Sequence, residues 1–110
     1  MGEWMSVSVY QQGSSNFEWT SLPSTSHREF ITFKPDARFF TYSDMPGRSG
    51  TYSYDVHAKR IDLKYEADNY GNTASDGQLL VEKVTEESLI LAVYTSTGEL
   101  AYKTEFQKMN

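Results

Sequence analysis

Residues 50–66 read GTYSYDVHAKRIDLKYE, two runs in which apolar and polar side chains alternate one by one. Tyr52, Tyr54 and Val56 oppose Thr51, Ser53, Asp55 and His57, while Ile61, Leu63 and Tyr65 oppose Asp62, Lys64 and Glu66. Alternation of this kind buries one face of an extended strand, whereas a helix would scatter the same residues around its circumference. The runs therefore predict an antiparallel hairpin. A tight turn at Ala58-Lys59 would pair Val56 with Ile61, and a four-residue loop shifts that pairing by two positions without exchanging the faces. Because no Asn-Gly or Gly-Gly is present to make a tight primed turn, the longer loop is expected.

The same period recurs along the chain. Residues 3–11 place Trp4, Ser6, Ser8 and Tyr10 on one face and Met5, Val7 and Val9 on the other, a first strand. Gly13-Ser14-Ser15 interrupts it, and residues 16–21 read as a short second strand with Phe17 and Trp19 on one side. Residues 28–34 and 38–43 flank the turn chemistry of Pro35-Asp36-Ala37. Residues 79–84 and 89–94 form a further hairpin, and residues 100–106 close the series. Helical periodicity is sustained nowhere. Eight or nine short strands with local connections predict an all-β, antiparallel up-and-down meander closed into a barrel, with a β-sandwich as the alternative. At 110 residues the chain is expected to be one domain over 1–110, with Met1-Gly2 reading as a vector-derived start.

In a meander, successive connections fall at opposite ends. The short turns 35–37, 56–59 and 85–88 share one end, and the longer, polar connections 22–27, 43–49, 67–77 and 95–99 share the other. This predicts a cup with a mouth at the long-loop end, unless that end merely tolerates insertions. The inward aromatic set is Trp4, Phe33, Phe39, Tyr52, Tyr54, Tyr65, Tyr102 and Phe106. Two roles compete for it: packing that fills a narrow barrel, or the lining of a ligand cavity, to which buried tyrosine hydroxyls would suit a wet interior. Of these, Trp4, Phe33, Phe39, Tyr52, Tyr54, Tyr65 and Tyr102 are the candidate ligand-binding residues. Phe30, Phe40 and Tyr42 fall on the outer face, either covered by the N-terminal segment or forming a contact patch for a homo-oligomer or a partner protein.

Reaction chemistry finds no footing. Ser53, Asp55 and His57 share a strand face, but i to i+4 along a strand is about 13 Å and Asp55 lies between the other two, so no triad forms. His27 and His57 start from opposite ends of the meander, which argues against a shared metal. Asp68, Asn69, Asn72 and Asp76 do not follow the spacing of a calcium loop. No catalytic residue, metal site or cofactor is expected. A net charge of −5 with scattered Lys and Arg argues against nucleic acid as a partner. No apolar run approaches the ~20 residues of a membrane-spanning helix. The absence of cysteine excludes disulfides and thiolate metal sites while leaving the compartment open.

Trp4 near the start of the first strand, the run Phe33-Lys34-Pro35-Asp36-Ala37-Arg38-Phe39, Gly50-Thr51-Tyr52 and the C-terminal run 89–106 together resemble the small bacterial lipocalin-like domains of the calycin type. The resemblance covers most of the chain. Ala37 stands where that family usually has glycine in its F-x-x-D-G-x-F turn, which makes a left-handed turn residue costlier at this position. The resemblance implies an exported domain, periplasmic or held at the cell surface, that binds a small hydrophobic or amphipathic molecule at the open barrel end or serves as an accessory binding module.

Overall fold

A computed structural model describes residues 2–12, 16–22, 28–42, 47–68 and 71–109. Nine strands run through them: β1 (Gly2–Gln12), β2 (Phe17–Ser21), β3 (Phe30–Phe33), β4 (Arg38–Tyr42), β5 (Arg48–Asp55), β6 (Arg60–Tyr65), β7 (Ser75–Val84), β8 (Ser88–Tyr94) and β9 (Leu100–Lys108). All pairings are antiparallel and follow chain order from β3 to β9. β1 pairs with β3 on one side and β9 on the other, which closes an eight-stranded up-and-down barrel. The meander and its closure match the sequence expectation. No helix occurs among the described residues, so none is long and apolar enough to cross a membrane.

β2 stands outside the ring. Met5 pairs with Phe30 of β3, but from Ser8 onward the same edge of β1 pairs with β2, so β1 and β2 form a ribbon continuing past the end of β3. Arg28 seals the changeover by donating to the carbonyls of Ser6 at 3.3 Å and Leu22 at 2.9 Å.

A bulge at Val7 corrects the facing expected for β1. Ser6 pairs with Phe106 and Ser8 with Glu105, leaving Val7 as an extra residue that exchanges the two faces beyond it. Trp4 and Ser6 face the core. Ser8 instead donates to Glu105 Oε1 at 2.8 Å, and Tyr10 lies outside against Phe17 and Trp19, with ring centroids 5.5 and 5.3 Å away. Lys103 Nζ stands 5.2 Å from the Tyr10 ring and is paired with Glu82 at 2.7 Å.

The opening hairpin adopts the longer loop. Tyr54 pairs with Ile61 and Tyr52 with Leu63, leaving residues 56–59 as the connection, with Val56 out in solvent. Asp55 Oδ1 accepts the backbone N–H groups of His57 and Ala58, both at 3.0 Å, and Lys59 closes the turn at φ 52°. Ala37 holds φ 65°, so alanine here does occupy the left-handed region that glycine enters without a Cβ penalty. β7 begins at Ser75 and β5 at Arg48, both earlier than the sequence pattern marks, because their polar first residues extend the ladders to β6 and β4.

At the short-turn end the interior is packed. Phe33, Phe39, Ile61, Leu63 and Leu89 are each at most 2% exposed, and burial of side chains this size contributes roughly 1.5–3 kcal/mol apiece. Phe33 meets Tyr52 edge-on at 4.9 Å, and Trp4 plugs the base with Lys108 Nζ 5.6 Å from its ring centroid.

Candidate functional site

Toward the long-loop end the packing gives way to clefts open to the surface, and the enclosed space left between Ile31, Leu79, Leu91 and Phe106 is about 30 Å³. Among the described residues, clefts of about 890, 340 and 320 Å³ open at that end. An eight-stranded barrel is just wide enough for side chains to fill or for one small ligand. Connections 23–27, 43–46 and 69–70, with His27 and Asn69, lie outside the described residues.

The seven aromatic candidates divide between the halves. Trp4, Phe33 and Phe39 belong to the packed core. Tyr52 sits at the base and donates its hydroxyl to the Lys34 carbonyl at 3.1 Å, and Tyr54, 38% exposed, ends its row near the tight turn. Tyr65 and Tyr102 line the clefts. Neither hydroxyl has a hydrogen-bond partner among the described residues, and burial raises the pKa of both. Phe39 packs edge-on against Tyr65 at 5.3 Å, which joins the packed core to the mouth.

Two charged residues at the mouth escaped the sequence reading, which sought aromatic and catalytic groups. Glu29 precedes Ile31 and Phe33 at the same parity, so the alternation that buries those two also turns Glu29 into the lumen. It lines both smaller clefts together with Tyr102. Its carboxylate has no hydrogen bond or ion pair among the described residues. Water reaches it through the mouth, so the residue keeps accessible area, yet barrel wall surrounds it and desolvation raises its pKa above the ordinary glutamate value. Its charge in turn helps raise the pKa values of Tyr65 and Tyr102.

Arg48 is the second. It pairs with the inward Thr41 in the β4–β5 ladder, and its guanidinium lies 4.6 Å from the centroid of Tyr65. One Nη donates to the carbonyls of Glu66 at 3.2 Å and Thr73 at 3.0 Å, while buried Nε has no acceptor among the described residues. The cation is thereby fixed on the rim rather than paired with Glu29.

The 890 Å³ cleft follows an incomplete seam. β7 and β8 share a register only from Leu80↔Ala92 to Val84↔Leu89, so residues 75–79 and 93–94 have no register partner across it. Gly77, Leu79, Val93 and Tyr94 border the opening, with Tyr65 and Tyr102 visible through it from the lumen side.

Outside the barrel, Phe40 and Tyr42 remain 41% and 50% exposed, and Phe30 is half-buried beside them. The N-terminal strand pairs edge to edge with β3 and does not lie across this trio. The residues once suggestive of chemistry serve the backbone: Asp55 holds the 56–59 turn, and Asp68 accepts both the backbone and side-chain amides of Asn72, at 3.2 and 2.9 Å. Among the described residues no three His, Asp or Glu side chains converge closely enough to hold a metal ion. Comparisons with protein families, curated proteins and solved structures returned no match, so the site is read from its own geometry.

Proposed function

We propose that this protein is a non-enzymatic, lipocalin-like binding domain that holds a small hydrophobic or amphipathic molecule at the open end of its barrel, in the periplasm or at the cell surface. One observation carries the reading. The interior is solid around Phe33 and Phe39, while at the long-loop end clefts open beside Tyr65 and Tyr102, whose hydroxyls, like the Glu29 carboxylate that borders two of those clefts, have no hydrogen-bond partner among the described residues. Ligand sites are concave and combine apolar walls with a few convergent polar groups, and the mouth is concave and sets Tyr65, Tyr102 and Glu29 beside aliphatic side chains. Native mass spectrometry of protein purified from its own host tests this. A co-purifying small molecule that is lost on Tyr102→Ala supports the reading. A bare chain that also fails to bind an apolar dye such as 1-anilinonaphthalene-8-sulfonate overturns it.

A second reading rests on the outer face, where Phe30, Phe40 and Tyr42 form an apolar patch left uncovered by the chain's own strands. In that reading the protein is an interaction module, or self-associates through this face. Sedimentation of the wild type against a Phe40→Ser, Tyr42→Ser double variant distinguishes the two. Loss of an oligomer without loss of dye binding assigns the patch to assembly.

A further inference from the structure

Glu29 is exposed at the mouth, where it borders two clefts, and its carboxylate has neither a cation nor an N–H donor as partner among the described residues. Among the described residues the nearby cations are committed elsewhere: Arg28 to the carbonyls of Ser6 and Leu22, and Arg48 to those of Glu66 and Thr73. The 320 Å³ cleft is walled by Val9, Leu22 and Thr104, is bordered by Glu29 and Tyr102, and no described residue on its surface is basic. It thus combines one negative charge, an aromatic ring and aliphatic walls.

We propose that Glu29 is the counter-ion for a small organic cation, an amine or quaternary ammonium with an apolar body, whose charged head lies between the Glu29 carboxylate and the Tyr102 ring. Carboxylate and aromatic face are both attractive to such a head, and each attraction is strengthened where water is partly excluded. The apolar body then lies against Val9 and Leu22, the aliphatic walls of the same 320 Å³ cleft, because the enclosed space beneath it, between Leu79, Leu91 and Val93, is only about 30 Å³. Arg48 lines the neighbouring 340 Å³ cleft and repels a second cation, which confines the head to the side of the lumen near β1 and β9. An anionic ligand would meet Glu29 unscreened. This assignment rests on the mouth being a ligand site, and the test separates the two claims.

The probes are phenethylamine, its neutral counterpart 2-phenylethanol and the anion 3-phenylpropionate, titrated at pH 7 into the full chain and followed by amide chemical shifts. A charge-assisted contact predicts binding of the amine about tenfold tighter than the alcohol, with the anion weakest. Glu29→Gln should bring amine and alcohol together, and Arg48→Gln should leave the amine preference intact. Equal affinities for the three probes, or an amine preference that survives in Glu29→Gln, overturn the cation assignment while leaving the small-ligand reading in place. No shift with any probe overturns both.

Discussion

Gly50 lies opposite Phe39 in the β4–β5 ladder, and the edge of the Phe39 ring occupies space that a side chain at Gly50 would need. A Cβ there would come within 3.0 Å of the ring and would collide with the Lys64 carbonyl on the other side. The position demands room rather than an unusual φ. Gly50→Ala is therefore expected to cost about 2–3 kcal/mol, the upper part of the range for overpacking, because backbone as well as side chain must shift. Urea unfolding should show a lower midpoint at an unchanged m-value.

The converse applies at Ala37 and Lys59, which hold φ 65° and 52°. Relief of left-handed strain, less the extra freedom glycine gives the unfolded chain, leaves each substitution to glycine stabilising by about 0.5–1 kcal/mol. The turns are separate, so Ala37→Gly and Lys59→Gly should add. Thermal melts of the single and double variants check both the sign and the sum.

The two halves of the barrel should respond differently to truncation. Phe33→Ala opens a cavity in close-packed surroundings and is expected to cost about 3–5 kcal/mol. Tyr102, 42% exposed and bordering open space, should cost less than about 1 kcal/mol as alanine while losing the dye or ligand. A melt paired with a binding titration on each variant reads out the split. Equal destabilisation by both would mean that the upper half is as tightly packed as the lower.

Much of this was legible in the sequence, because a period of two is explicit wherever one strand face is buried. Tyr52, Leu63, Phe33 and Phe39 declare their side, and the lengths of the turns declare which end is shut. Two features were hidden for physical reasons. A bulge costs no particular residue, so nothing in the run Ser6-Val7-Ser8 announces that the faces exchange there and that Tyr10 turns outward. Glu29 was in view at the right parity, but a charged residue at the head of a strand reads as a solvated end until the hollow beside it is known. The split of the aromatic set into plug and lining depends on cavity shape, which alternation does not encode.

Glu29 also sets a pH dependence. Its folded pKa is raised by desolvation, so the native state holds this proton more tightly than the unfolded chain does. The resulting penalty is absent below the ordinary glutamate pKa, grows as pH rises from there through the folded pKa, and is complete above it. The groups that share its space are Tyr65 on β6, Tyr102 on β9, and Tyr42 and Arg48 on β4 and β5. Burial raises the pKa values of Tyr65 and Tyr102, which moves their titration further above that window. Glu29→Gln should therefore be more stable than wild type at neutral pH, with the gain vanishing under acid. Denaturation at a series of pH values follows it, and a gain that persists at low pH would assign the effect to packing instead.

In a fully laced barrel the girth is fixed by strand number and stagger, and it is the same problem at every height. The seam between β7 and β8 is laced only below Leu80 and Ala92, so the girth at the base is set by backbone while the girth at the rim is left to side chains. Leu79, Val93 and Tyr94 are the cuff of this opening. Exchanging their side chains resizes the aperture without disturbing a ladder bond across the seam, while the base stays the same.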